Sequence, residues 1–301
     1  MVEQIKLRRT MMYVTASNPA IVRDAHIYGS DSIMFDLEDS VSVNQKDAAR
    51  FLIYNALKSL DYRGIELVVR VNGLDTPFGE EDFKAMVRVK PDIIRLPKTE
   101  TPDDIRKADQ LIADIEREIG MDVGTVKLMA AIESPLGIIN AYEIAKSSSR
   151  LVAMAIGAED FVTCMKTTRS LAGIELTVAR GQLLLAARAA GIYALDTIFS
   201  DINDEEGFLN EVKLIHQLGF DGKSVIHPRQ VPVVHKVFTP SDRDIEFAFR
   251  TFRAIEEAER NNSGVIAMDG KMIDEPMVER ARRVLSLAAA AGVYKGGEGN
   301  D

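Results

Sequence analysis

The stretch AAIESPLGI, residues 130–138, and the stretch AIGAEDFV, residues 155–162, each bring an apolar run to a close in acid: Glu133 in the first, Glu159 and Asp160 in the second. Acid recurs in FDLEDS, which carries Asp36, Glu38 and Asp39. Cations and amides close other apolar runs, with Arg70 and Asn72 in VVRVNG, Arg95 and Lys98 in RLPK, and His227 after the last run. Carboxylates that converge on one rim repel each other and need a counter-charge, and a divalent cation is the most compact one. Oxygen ligands from Glu and Asp, with no Cys or His cluster at metal spacing, point to Mg²⁺ before Zn²⁺. Mg²⁺ takes one or two carboxylates and leaves its other positions to water and substrate, a pattern that Glu133 and Asp160 fit.

Each of these residues also has a plain structural reading. Glu133 precedes Ser134 and Pro135, a good helix start, so it suits the positive end of a helix dipole as well as a metal. Asp36, Glu38 and Asp39 read equally as a solvated acidic loop, Arg70 as the partner of a core carboxylate, and Lys98 as an exposed loop residue. His227 before Pro228 reads as a turn residue, and His26, His216 and His235 lie in helical text.

The elements that would position these groups follow from periodicity. Strand-like runs fall at Met11–Val14, Ser32–Leu37, Glu66–Val71, Asp92–Leu96, Lys127–Ile132, Leu151–Gly157, Leu195–Phe199 and Lys223–Ile226. Between them lie amphipathic helices. In TPDDIRKADQLIADIEREIG, Thr101 caps, Pro102 fits the first turn, Asp103 and Asp104 favour the dipole, and Gly120 ends the helix. Residues 173–191 read as a second long helix closed by Gly191. Regular alternation implies a parallel sheet, and eight strands in this length suit a closed (β/α)₈ barrel, the TIM barrel, better than an open sheet. A barrel of that kind collects its working residues at the carboxyl ends of its strands, where the polar residues above fall. The expected organisation is a catalytic barrel over residues 1–240 and a C-terminal helical extension over 241–301, ending in a frayed GGEGND.

Composition narrows the function classes. The chain has 301 residues, 46% of them hydrophobic, enough for one large core. A formal charge of −9 and scattered basic residues argue against a nucleic-acid surface. No run approaches the length of a membrane span, the single cysteine Cys164 cannot form an internal disulfide, and MVEQIKLRR lacks the apolar core of a signal peptide. A cytoplasmic enzyme is the expectation. Neither G-x-G-x-x-G nor a P-loop motif occurs.

Taken in order, the words FDLEDSV, VRVN, RLPKT, AAIESPLG, GAEDF, LGFDGKS and HPRQ resemble one family over residues 8–290. It unites citrate lyase β subunits, CitE-like proteins and malyl- and citramalyl-CoA lyases within the HpcH/HpaI aldolase superfamily. The resemblance implies a TIM barrel that uses Mg²⁺ to cleave (3S)-citryl-acyl-carrier protein to oxaloacetate and acetyl-acyl-carrier protein. Matched word by word, it implies Glu133 and Asp160 as metal ligands and Arg70 as the holder of the substrate's oxygen-bearing end. It gives Asp36, Glu38 and Asp39 the task of ordering water around the metal and forming the rim. Asp274, in the word Met272, Ile273, Asp274, is implied to reach a neighbouring subunit's site as catalytic base, with Glu38 as the alternative. The extension would then act as a lid or oligomer contact. Asp274 also reads as a helix cap, because Pro276 follows it.

The resemblance further implies an acyl-transferase α subunit and an acyl-carrier γ subunit as partners, and a homo-oligomer, a trimer or larger. The alternative is a stand-alone malyl-CoA or citramalyl-CoA lyase, or a thioesterase, of the same superfamily. The chain departs from the family where Val14, Thr15 and Ala16 stand in place of VPG, which leaves open how the first loop meets a ligand.

Overall fold

A computed structural model describes residues 5–260, 267–268 and 271–294. The GGEGND tail and part of the segment joining the last two helices lie outside the described residues. Eight parallel strands, in chain order, close into a barrel: β1 (Thr10–Thr15), β2 (Ser32–Asp36), β3 (Glu66–Arg70), β4 (Ile93–Leu96), β5 (Lys127–Ile132), β6 (Leu151–Ile156), β7 (Tyr193–Asp196) and β8 (Gly222–Val225). Closure comes from β1 pairing with β8, Thr10 opposite Lys223. Such strands are buried on both faces, which is why they read as near-continuous apolar runs.

The helices of the barrel are α1 (Pro19–Asp24), α2 (Lys46–Ser59), α3 (Gly79–Arg88), α4 (Pro102–Glu118), α5 (Pro135–Ile139) and α6 (Ala141–Ala145), then α7 (Ala158–Cys164), α8 (Thr177–Ala190), α9 (Glu205–Leu218) and α10 (Gln230–Phe238). In α4 the Asp104 carboxylate accepts from the backbone N–H of Thr101 at 2.8 Å, closing the first turn as its sequence implies. The long helix expected from residue 173 starts later. Ile174–Leu176 form a 3₁₀ turn, regular helix begins at Thr177, and Gly191 ends it in the left-handed region at φ 71°.

The seventh strand is also shifted, to Tyr193–Asp196 from the expected Leu195–Phe199. The carbonyls beyond Asp196 are claimed by side chains rather than by a neighbouring strand. Thr197 O accepts from Lys223 Nζ at 2.7 Å, and Phe199 O accepts from Gln230 Nε2 at 3.0 Å.

Side chains alternate across each strand, so residues two apart share the barrel interior. Met11, Met34, Val68, Ile93, Met129 and Leu195 fill its middle. One step further along, the same faces carry Tyr13, Asp36, Arg70 and Arg95, and two steps beyond Met129, past the end of β5, comes Glu133. The core and the polar mouth are therefore successive layers of one periodic pattern.

Buried charge also lies at the opposite end and behind the sheet. Arg8 donates from Nε and Nη2 to Glu66 at 2.8–3.1 Å, Ser32 Oγ donates to the same carboxylate at 2.8 Å, and the Arg8 guanidinium lies 4.3 Å from the centre of the Tyr193 ring. Behind β7 and β8, Asp196 accepts from Arg180 at 2.8 and 2.9 Å and from Lys223 at 2.9 Å. Glu211 completes that network, 2.6 Å from Lys223. Burial alone would raise the Asp196 carboxyl, but the charges of Lys223 and Arg180 outweigh it and hold the group below its usual range.

The chain divides into two compact units, Arg8–His235 and a second built from residues on either side of that span. In the second unit α11 (Asp242–Arg260) and α12 (Glu275–Ala290) pack together through Ala248, Ala281 and Leu285. Two short antiparallel strands, Ala267–Met268 and Lys271–Met272, precede α12. Among the described residues no helix is long and apolar enough to cross a membrane.

Candidate active site

The mouth of the barrel is built on three adjacent strands. Asp36 of β2 lies beside Arg70 of β3, and Arg70 lies beside Arg95 of β4, as register partners. Arg70 donates from Nε and Nη2 to the two oxygens of Asp36, each at 2.7 Å. The same oxygens accept from the backbone of Glu38 at 2.9 Å and of Ser40 at 3.1 Å, so Asp36 holds both the arginine and its own loop. Burial pushes the Asp36 carboxyl up, but the hydrogen bonds and charge of Arg70 prevail and keep it low. Lys46, from α2, fastens the loop further by donating to the carbonyls of Leu37 and Glu38 at 2.9 and 2.6 Å.

The acidic loop thus splits into three environments instead of forming one solvated face. Asp36 and Glu38 are buried, whereas the Asp39 side chain is 57% exposed. Glu38 Oε2 lies 2.7 Å from Arg70 Nη1, an ionic approach out of line for a hydrogen bond. Its Oε1 lies 3.2 Å from Lys98 Nζ. Burial dominates its titration, raising it to about 7 against the pull of Arg70, and the charges of Asp39 and Glu133 add to the rise. Lys98 is exposed, as a loop residue, yet it leans over the acids of the rim.

Glu133 follows β5 and is 4% exposed. Among the described residues its Oε2 has no hydrogen-bond partner. Burial raises its carboxyl, the charges of Arg95 and Arg70 oppose that rise, and the charge of Asp160 reinforces it. The next strand makes room for the side chain: a Cβ at Gly157 would stand 2.5 Å from Glu133 Cγ and 2.7 Å from its Oε1. Glycine is required there by close approach, and the GAED word owes its first letter to the acid on the neighbouring strand. Ser134 caps α5 by accepting from Gly137 N–H at 3.2 Å, so the helix-start reading of this segment holds together with the burial of Glu133.

Asp160 lies in the first turn of α7, close enough for its charge to act on the Glu133 carboxyl. Its neighbour Glu159 is exposed and pairs with Arg169 at 3.5 Å, away from this pair. Among the described residues no three His, Cys, Asp or Glu side chains gather as a closed metal cage. A buried carboxylate oxygen without a partner, beside a second carboxylate, fits instead a hard cation that keeps several of its waters, the pattern of Mg²⁺. Glu133 and Asp160 are the residues that would hold it.

The other predicted residues fall elsewhere. His227 accepts the backbone N–H of Arg229 on Nδ1 at 3.2 Å, a turn role. Asp274 lies in the second compact unit, exposed, where it caps α12 by accepting from Met277 N–H at 3.0 Å. Thr15, at the departure from VPG, donates to the carbonyl of Ser40 at 3.2 Å and so joins the first loop to the acidic one. Sequence reasoning missed the part played by Tyr13, whose ring centre lies 5.3 Å from the Arg70 guanidinium and 5.7 Å from that of Arg95. The available signal was its place in MMYVT, two residues on from the core residue Met11.

A closed parallel barrel whose mouth gathers buried carboxylates and arginines at the carboxyl ends of its strands has the architecture of a (β/α)₈ enzyme. The chain belongs to the HpcH/HpaI aldolase/citrate lyase family, whose model matches residues 9–228. It is 56% identical over 285 residues to the citrate lyase subunit beta of Leuconostoc mesenteroides subsp. cremoris, across 95% of this chain and 94% of that one. It is 35% identical over 286 residues to a (3S)-malyl-CoA thioesterase of Cereibacter sphaeroides, across 95% and 96% of the two chains. Among solved structures it is similar to the protein CitE from Mycobacterium tuberculosis in complex with magnesium, acetoacetate and coenzyme A. That likeness has a TM-score of 0.75 and 30% identity, and covers 95% of this chain and 98% of that one. The chain is an enzyme of the lyase class.

Proposed function

We propose that this chain cleaves the (3S)-citryl thioester of an acyl-carrier protein to oxaloacetate and the acetyl thioester, as the β subunit of a citrate lyase using Mg²⁺. High identity to a citrate lyase subunit beta over nearly the whole chain supports the substrate, and a magnesium-bound relative of the same fold supports the metal. The observation that carries the reading is the buried Glu133 oxygen without a hydrogen-bond partner among the described residues, in a mouth where the charges of Asp160, Arg70 and Arg95 all reach that carboxyl. An acyl-transferase α subunit and an acyl-carrier γ subunit would supply the thioester, and the β chains would assemble as a homo-oligomer.

The reaction breaks the bond between the carbinol carbon and the methylene carbon next to the thioester carbonyl. The hydroxyl proton leaves, its oxygen becomes a ketone, and the bonding electrons pass to the thioester as an enolate that is then protonated. A bound Mg²⁺ would supply Lewis-acid polarisation of the hydroxyl and its neighbouring carboxylate. Arg70, held by Asp36 on two nitrogens and approached by Glu38 on the third, keeps a permanent charge beside the site and stabilises developing oxyanion charge through that fixed field. Asp274 of a neighbouring copy takes the proton, its side chain being exposed on a helix cap. Glu38 is the alternative inside the barrel, where burial tunes it to about 7, a value suited to a base at neutral pH.

A second reading has its own support in the malyl-CoA thioesterase relative. It is a stand-alone malyl-CoA or citramalyl-CoA lyase, or a thioesterase. The test measures oxaloacetate release from citryl-acyl-carrier protein and from citryl-CoA, each with Mg²⁺ and with excess chelator. Metal-dependent release that favours the carrier substrate is the expected result. Inert citryl substrates together with turnover of malyl-CoA or citramalyl-CoA would establish the second reading instead. The pH–rate profiles of Asp274→Asn and Glu38→Gln then separate the two bases, since only loss of the true base removes the acidic limb.

A further inference from the structure

Arg95 is the most deeply buried guanidinium of the barrel mouth, at 1% exposure, yet among the described residues its contacts are Met11 and the Tyr13 ring, with no carboxylate at ion-pairing distance. Its Nε has no hydrogen-bond partner, and Nη1 has only the weak contact to Met11 Sδ at 3.9 Å. Arg70, its register partner on β3, is in the opposite condition. Two of its nitrogens serve Asp36 and the third faces Glu38 at 2.7 Å. Both guanidiniums lie against the ring of Tyr13, so they occupy one level of the barrel. The mouth thus holds one arginine in contact with carboxylates and one that acts on Glu133 through its charge alone.

The substrate class proposed above supplies the missing charge. A citryl carbinol carbon carries a carboxylate and an acetate arm, where a citramalyl carbon carries a methyl group and a malyl carbon a hydrogen. Cleavage turns these three into oxaloacetate, pyruvate and glyoxylate. The acetate arm is therefore the one anionic group that separates the citryl substrate from its relatives. We propose that Arg95 binds this second carboxylate and so selects a dicarboxylate 2-oxo acid, and its thioester precursor, over monocarboxylate ones. Away from water, a forked guanidinium pairs strongly and directionally with a carboxylate. A site built around such a buried donor rejects an analogue that lacks the acceptor, because the donor is then left unpaired. The inference rests on the citryl reading for its substrate, but its test needs only binding.

The experiment titrates oxaloacetate and pyruvate into the Mg²⁺-loaded wild-type chain and into Arg95→Met, with Mg²⁺ affinity measured separately. The expected result is a fall of about 100-fold in oxaloacetate affinity, the size of a lost charged hydrogen-bonding pair, with pyruvate altered less than about threefold. Arg95→Lys, which keeps the charge without the fork, should recover part of the loss and guards against a variant that misfolds. In turnover, Arg95→Met should lower kcat/KM for citryl thioesters while sparing citramalyl thioesters. An equal loss for oxaloacetate and pyruvate, or a matching loss of Mg²⁺ affinity, would make Arg95 a counter-ion to Glu133 and overturn the proposal. Unchanged oxaloacetate binding overturns it as well. A wild-type chain that binds oxaloacetate through Arg95 but leaves citryl thioesters uncleaved removes the proposed function alone.

Discussion

The two ends of the barrel treat buried charge in opposite ways. At the amino end, Arg8, Glu66 and Ser32 satisfy one another through several short hydrogen bonds, and a tyrosine ring covers the arginine. At the carboxyl end, Glu38 Oε2, Glu133 Oε2 and Arg95 Nε are all buried without a hydrogen-bond partner among the described residues. Glu38 Oε2 retains its ionic contact with Arg70, whereas an atom left with neither contact costs about 1–3 kcal/mol or more. The difference teaches where the fold spends stability: the floor is complete in the chain itself, and the mouth is complete only with ligands that bring a cation and anions.

This contrast makes the ends respond differently to substitution. The largest effect is expected at the floor, where Glu66→Ala strands Arg8 and should lower unfolding stability by about 3–5 kcal/mol in urea titration. If stability is unchanged, the floor does not anchor the barrel. At the mouth, Glu133→Gln should lower kcat by on the order of 10²–10³-fold, with a parallel loss in Mg²⁺ titration, while the metal-free melting temperature holds or rises. A large drop in stability would show that Glu133 belongs to the core after all. Gly157→Ala forces the Glu133 side chain aside, and calorimetry should record Mg²⁺ affinity weakened by about 10- to 100-fold.

A smaller effect follows from Glu38 in the metal-free chain. Its carboxyl titrates at about 7 when folded and near 4.5 in the ordinary state, so the unfolded chain releases the proton first. The contribution is full below pH 4.5 and is lost as pH rises to about 7, so stability should decline across that window. Denaturant titrations of Glu38→Gln should show a flatter slope there, and an unchanged slope would remove the assignment. The smallest effect belongs to Lys98, mostly exposed, whose change to Ala should alter stability by less than about 1 kcal/mol.

The barrel was legible because its strands are apolar and evenly spaced and its polar residues follow them. Seven strands lie within two residues of their expected ends. The seventh slid because Lys223 and Gln230, distant in sequence, capture the carbonyls that would have continued it. The candidate metal pair was readable as types at strand ends, whereas the pairing states of the rim were not. Nothing local in FDLEDS says that Asp36 is bound on both oxygens and Asp39 on the surface, since the difference comes from an arginine on the next strand. Likewise RLPK displays an arginine, but that it meets Met11 and Tyr13 and no contacting carboxylate among the described residues depends on the elements around it.

Barrel closure joins Thr10 to Lys223, residues more than two hundred positions apart. During synthesis, β1 must therefore wait for nearly the whole barrel to be made before its second neighbour exists, and until then it is an open, apolar edge. Long-range pairing of this kind is slow, and unpaired edges are aggregation-prone. Recovery of active enzyme from a fast expression host should consequently improve with lower temperature or added chaperones, without any change in the native state's own stability.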